Sequence, residues 1–151
     1  HRYIRRQRQM CIRDSLLDIC VKEDLLLSTA NIAPLSHWIT PNIESRRFDT
    51  RFFIAYLPEK QIVQHDGLEL TQSLWINPNK AVEMAFKGEM QMIMPTIKNL
   101  QSCSKFEVAK DMLDNQKRLT NKDIPPILPK FFKENGNWVG LLPGDDGYED
   151  H

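Results

Sequence analysis

Three cysteines (Cys11, Cys20, Cys103) and four histidines (His1, His37, His65, His151) are the side chains of this 151-residue sequence best suited to nucleophilic or metal chemistry. Their spacing favours neither. No two cysteines form a CxxC pair, and no Cys/His group has zinc-ligand spacing. Scattered thiols, odd in number, point to a reducing, intracellular compartment with buried or free cysteines. Isolated histidines such as His37 and His65 read as structural. Gly-rich phosphate loops, GxSxG and HExxH are absent, and no two glutamates are adjacent. The most ordered group of charges is Arg46, Arg47, Asp49 and Arg51, in the stretch RRFDTRFFIAYLP of residues 46–58. Asp145 and Asp146 read as a solvated acidic tail rather than as cation ligands.

That stretch alternates. Phe48, Thr50, Phe52, Ile54 and Tyr56 share one face of an expected strand, and Arg47, Asp49, Arg51, Phe53, Ala55 and Leu57 share the other. The second face passes from charged to apolar along its length. A central strand with one end opening onto a polar cleft has this pattern; so does an edge strand whose charges meet water. Upstream, SLLDICVKEDLLL of residues 15–27 places Leu16, Leu17, Cys20, Val21 and Leu25 near helical spacing, with Ser15 as N-cap. Residues 28–36 read as a loop, and His37–Pro41 as a short extended piece stopped by proline. Leu68–Ile76 reads as a second strand ending in Trp75.

Asn77 and Pro78 then supply N-cap and first-turn chemistry for a helix that turns Ala81, Met84 and Ala85 inward and stops at Gly88. Thr96–Gln101 predicts a helical turn. Ser104–Glu107 predicts a capping box opening a helix to about Gln116, with Phe106, Ala109, Met112 and Leu113 as its apolar stripe. Asn135-Gly136 predicts a hairpin turn. Intermixed strands and helices give an α/β or α+β layered domain.

Composition bounds the function classes. Lys+Arg and Asp+Glu are 20 each, so the formal net charge is zero, which argues against a protein held on nucleic acid by bulk electrostatics. Hydrophobic residues at 41% and charged residues at 26% match an ordinary globular chain. No run of 18 apolar residues occurs, so no membrane span is expected, and the location expected is cytoplasmic. The neutrality is uneven: residues 1–13 hold five arginines and no acid. Residues 1–15 therefore read as a basic head, disordered or extraneous, and residues 16–151 as the domain. RNA binding rests on that head alone. Without residues 1–13 the remainder is acidic, with 15 basic and 20 acidic residues.

Residues 37–58, HWITPNIESRRFDTRFFIAYLP, resemble a segment of the Nudix hydrolases, in the branch of the peroxisomal coenzyme A diphosphatase and its bacterial relatives. The branch pattern W-[IL]-T-P followed by R-R-F-D-T-x-F-F is met by Trp38, Ile39, Thr40 and Pro41, then Arg46, Arg47, Phe48, Asp49, Thr50, Phe52 and Phe53. Glu69, Trp75, Pro78 and Ala81 look like its E-x5-W-x2-P-x2-A element. Leu142-Pro143-Gly144-Asp145 with Gly147-Tyr148 looks like its closing LPGDxGY. The elements run in order over about residues 16–150. The resemblance implies a Nudix-type α/β/α sandwich with a mixed sheet, present in part.

It also implies a metal-dependent hydrolase that cleaves a diphosphate linkage in a nucleotide derivative such as CoA or acyl-CoA, using Mg²⁺ or Mn²⁺. In the family the cation is held by glutamates on one helix, the box G-x5-E-x7-R-E-U-x-E-E-x-G-U. No such box stands in this sequence, so no metal ligand is assigned here. The chain is expected to be a C-terminal portion, inactive alone. By the same resemblance Arg46, Arg47 and Arg51 lie near the substrate cleft, where arginine forks suit phosphate oxygens, and Glu69 orients water or supplies a carboxylate. The competing expectations are that Arg47 and Asp49 simply pair on a sheet face and that Glu69 is a strand-edge glutamate. Trp38 and Trp75 are expected in the core. The alternative function is a non-catalytic Nudix remnant that binds a nucleotide or a protein.

Overall fold

The computed structural model describes residues 16–27, 29–57, 61–65, 67–68 and 70–150; the basic head and Glu69 lie outside them. The chain divides into two compact units, His1–Asn31 with Leu57–Ile76, and Ile32–Tyr56 with Asn77–His151.

In the first unit, helix α1 spans Leu16–Lys22 and is followed by a 3-10 turn at Thr29–Asn31. Its buried residues are Ile19 and Cys20, whereas Leu16, Leu17 and Val21 are exposed, so the inward face is narrower than the leucine spacing suggests. Residues 70–76 form no strand. Leu70, Leu74 and Trp75 are exposed, Trp75 at 78%, which corrects both the expected second strand and the expected core role of this tryptophan. A strand is stabilised by the neighbour it pairs with, and alternation cannot supply one.

The second unit carries the sheet. Strand β1 (Ile32–Ile39) lies between β2 (Asp49–Ala55), antiparallel to it, and β3 (Pro126–Ile127), parallel to it. The mixed sheet with helices confirms the α/β class. β1 begins five residues earlier than the extended piece expected at His37. Pro34 is the reason: proline cannot donate to a ladder, yet here it falls where the β1–β2 register shifts between Pro34 and Ser36. β3 pairs only with His37 and Trp38, so no partner asks Pro34 for an N–H on that side. β2 is an edge strand among the described residues.

Three helices follow. In α2 (Pro78–Phe86) the Asn77 Oδ1 accepts from Asn79 N at 2.9 Å, Pro78 occupies the first turn, and Gly88 at φ +75° follows the C-cap. Ala81 is buried against this unit's core. Helix α3 (Met94–Cys103) is longer than the turn expected at Thr96, and Pro95 sits in its first turn. Ser104 does not open the next helix. Its N–H donates to Leu100 O and its Oγ to Gln101 O, so it closes α3, and α4 starts later, over Ala109–Lys117. Both α3 and α4 pack on β1, and α2 packs on α3. Trp38, Met112 and Leu113 form the core there, while Ala109 is exposed.

Strands β4 (Lys130–Glu134) and β5 (Asn137–Leu141) make a separate hairpin. Its two-residue turn has Asn135 at φ +49° and Gly136 at φ +84°, as a type I′ turn requires. The closing turn is tied back by Tyr148, whose hydroxyl donates to Leu128 O at 2.8 Å, and by Lys130, whose Nζ donates to Tyr148 O at 2.7 Å. No helix among the described residues is long and apolar enough to cross a membrane.

Candidate functional site

The connection from β1 to β2 is closed at one residue. Thr40 N donates to Phe48 O at 2.9 Å, Thr40 Oγ1 accepts from Phe48 N at 3.0 Å, and Thr40 O accepts from Arg47 Nε at 3.0 Å. Threonine can do all three because it brings a hydroxyl as well as its backbone groups. The result holds Arg47 at the mouth of β2 with one of its five donors engaged. Arg46 stands beside it, its guanidinium 5.5 Å from the centre of the Phe48 ring. All three arginines, Arg46, Arg47 and Arg51, are exposed.

Arg51 sits farther along β2, directly opposite His37 in the ladder. Alternation puts His37, Ile39, Asp49 and Arg51 on one sheet face and Trp38 and Thr50 on the other. On the first face His37 Nε2 meets Asp49 Oδ1 at 2.5 Å. The imidazole is 10% exposed and the carboxylate 65%. Asp49 therefore turns to His37, and the expected Arg47–Asp49 pair does not form; Arg47 is held by the Thr40 carbonyl instead. This histidine–aspartate pair is the contact that sequence reasoning missed. Twelve positions separate its members, and only the strand register brings them together. An aspartate on a ring nitrogen fixes the tautomer and orientation of the imidazole. Arg51 and His37 also line a small cavity of 70 Å³ with Phe53 and Asn121.

The other expected residues fall elsewhere. Trp38 is in the core at 4% exposure, as expected. Glu69 lies outside the described residues. Asp145 is used locally, its Oδ2 accepting from Leu142 N at 2.7 Å. Among the described residues no group of three or more His, Cys, Asp and Glu side chains could hold a metal ion, so these residues do not fit a divalent cation. Cys20 is buried and Cys103 half-buried, both as free thiols, and burial pushes the Cys103 thiol up from its ordinary value, away from reactivity.

A wider cleft of 470 Å³ opens between α3 and β3. Trp38, Lys98, Ser102, Lys105 and Ile127 line it, and Leu142 and Pro143 close one side. An adjoining lobe of 400 Å³ shares Trp38, Lys98, Ser102 and Lys105 and adds Asn99, Gln116 and Asp123. Hydrogen bonds from Thr120 N and Thr120 Oγ1 to the Asp123 carboxylate hold it below the ordinary aspartate value.

Among curated proteins the chain is 30% identical over 120 residues to acyl-coenzyme A diphosphatase NUDT19 of Xenopus laevis. It is 29% identical over 115 residues to acyl-coenzyme A diphosphatase NUDT19 of Homo sapiens. Each match covers 75% of this chain and 31% of the relative, so the chain spans about a third of the length of the curated relatives it matches. No family model matches the chain, and no solved structure does. The homologues are Nudix acyl-coenzyme A diphosphatases, in agreement with the resemblance carried by the WITP and RRFDTRFF segments.

Proposed function

We propose that this chain is the substrate-gripping part of a Nudix-type diphosphatase that hydrolyses the diphosphate linkage of coenzyme A or an acyl-coenzyme A. The observation that carries the reading is the end of the β1–β2 pair, where Thr40 clamps Arg47 beside Arg46 just before β2, with Arg51 on β2 itself. Guanidinium groups grip phosphate oxygens through paired N–H donors and stay charged at every working pH. Fixing Arg47 in advance lowers the entropy lost when the ligand binds. The homologues' names point to the same substrate class.

The roles divide as follows. Arg46, Arg47 and Arg51 bind and orient the phosphates. Asp49 holds the His37 ring in one orientation, across the ladder from Arg51. Glu69 orients water or adds a carboxylate. Mg²⁺ or Mn²⁺ would supply Lewis-acid activation of water and neutralise charge on the phosphates. The described residues do not hold such an ion; its carboxylates would come from the family's glutamate helix, outside them. The 151-residue chain alone is then inactive as a hydrolase while still binding the substrate.

The test is incubation of coenzyme A with Mg²⁺ or Mn²⁺, with chromatographic detection of the two phosphomonoesters. A chain that also carries the glutamate helix gives product, and the 151 residues alone give none. Metal-dependent turnover by the 151 residues alone overturns the placing of the carboxylates. No turnover by either chain overturns the substrate.

A further inference from the structure

We infer that the pocket between the β1–β2 connection and the start of β4 takes the branched aliphatic arm of coenzyme A, where the pantetheine half leaves the diphosphate. It thereby selects this substrate over other nucleoside diphosphates. The inference rests on the reading that the arginine end of β2 grips that diphosphate.

The pocket adjoins the clamp through covalent bonds. Arg47 Nε donates to the Thr40 carbonyl at 3.0 Å, and that carbonyl belongs to the peptide bond into Pro41. Bond lengths then put the guanidinium nitrogen within about 5.5 Å of the Pro41 nitrogen. Pro41 opens a turn in which Glu44 N donates to Pro41 O at 3.2 Å, with the exposed Asn42 and Ile43 between them. Pro41 and Ile43 on one side, and Leu128, Pro129, Phe131 and Phe132 on the other, line a pocket of 240 Å³. Ile43 is 53% exposed, and the others apart from Pro129 are half-buried, so a ligand can touch them.

The wall offers hydrocarbon because its polar groups are engaged elsewhere. Lys130 also lines the pocket, but its Nζ donates to Tyr148 O at 2.7 Å and stands 4.1 Å from the centre of the Tyr148 ring. Its charge is used there, and its aliphatic stem is what remains for the pocket. The Leu128 carbonyl accepts from the Tyr148 hydroxyl at 2.8 Å. The Phe131 ring lies on Gly140, its ladder partner, where a Cβ would come 2.6 Å from Cε1. The ring is therefore seated before any ligand arrives, as in most small-molecule sites.

Chemistry names the occupant. In coenzyme A the carbon bearing two methyl groups is separated from the diphosphate by only an oxygen and a CH₂. An apolar wall this close to a phosphate-gripping guanidinium meets those methyls first. The nucleoside half instead presents ribose hydroxyls at that distance, which are costly to place against hydrocarbon. Burying two methyl groups changes affinity by about tenfold.

The test is calorimetric titration of the 151-residue chain with dephospho-coenzyme A and with ADP-ribose, which keeps the adenosine and the diphosphate and replaces the arm with ribose. The methyl resonances of Ile43 and Leu128 are followed alongside. Dephospho-coenzyme A is expected to bind at least about tenfold more tightly and to move both sets of methyls, which ADP-ribose leaves still. Asn42→Trp fills the mouth and Ile43→Ser removes apolar wall. Both positions are exposed and neither has a positive φ, so neither change strains the backbone. Each variant should bring dephospho-coenzyme A towards the affinity of ADP-ribose while ADP-ribose itself binds as before. Equal affinity for the two ligands in the parent, or a preference kept in both variants, overturns this inference alone. Methyl shifts of equal size with ADP-ribose give the pocket to the nucleoside and overturn it too. Binding of neither ligand overturns the arginine reading and this inference with it.

Discussion

The two faces of the β1–β2 pair use neighbouring residues for opposite purposes. On one face Trp38 is buried under α3 and α4, and its indole N–H joins Ser36 and Asn99 in a closed polar triangle. On the other, one residue away, His37 is tied to an exposed Asp49, and Arg51 and Phe53 stand in the open, Phe53 at 59% exposure. The covered face holds the fold together. The open face keeps its charges where a ligand can reach them, at the end where Thr40 fixes Arg47. Alternation along a strand is what allows a packed core face and an exposed charged face to be set one residue apart.

The largest expected effect lies on the covered face. Trp38→Ala removes a buried aromatic and a hydrogen-bond donor and should destabilise the second unit by about 3–5 kcal/mol, read as a lowered urea midpoint. A loss below about 1 kcal/mol would mean that this face is not the core. Asp49→Ala comes next. It leaves the nearly buried His37 nitrogen without its carboxylate, and the expected loss is about 1 kcal/mol, discounted because Asp49 itself is solvated. Denaturant melts of Asp49→Ala and Asp49→Asn side by side would check it. Arg51→Ala should leave stability within about 0.5 kcal/mol of the parent, as for surface substitutions generally. A larger loss would make this arginine structural and erase the contrast between the faces.

The smallest effect is in acid. The Asp123 carboxyl is lowered in the folded chain, so its contribution is present above the ordinary aspartate value and fades as pH falls through the lowered one. The Thr120 amide resonance should move over that acid range and stay still at neutral pH.

Much of this was legible in the sequence where the physics is local. The alternation of residues 48–56 gave β2, Asn77-Pro78 gave the start of α2, and Asn135-Gly136 gave the hairpin, because caps and primed turns are specified by a few adjacent residues. What depended on distant partners was not legible. β1 was hidden by Pro34, which is tolerated only because the register shifts beside it. The alternation at 68–76 promised a strand that does not form. Ser104 looked like the start of one helix and closes another. At the site, the arginines and Trp38 stood out by type. The His37–Asp49 pair and the Ser36–Trp38–Asn99 triangle arise from register and packing, and no spacing in the sequence announces them.

The central claim is that the arginine end of β2 grips a phosphate-rich ligand. Calorimetric titration of coenzyme A into the 151-residue chain, against a variant with Arg46→Ala, Arg47→Ala and Arg51→Ala, tests it most directly. Binding by the parent, weakened at least about 100-fold in the variant and with a smaller dependence on salt, is the predicted result, since charged hydrogen bonds contribute about 1.5–3 kcal/mol each. Equal affinity in the two chains, both folded, would contradict it.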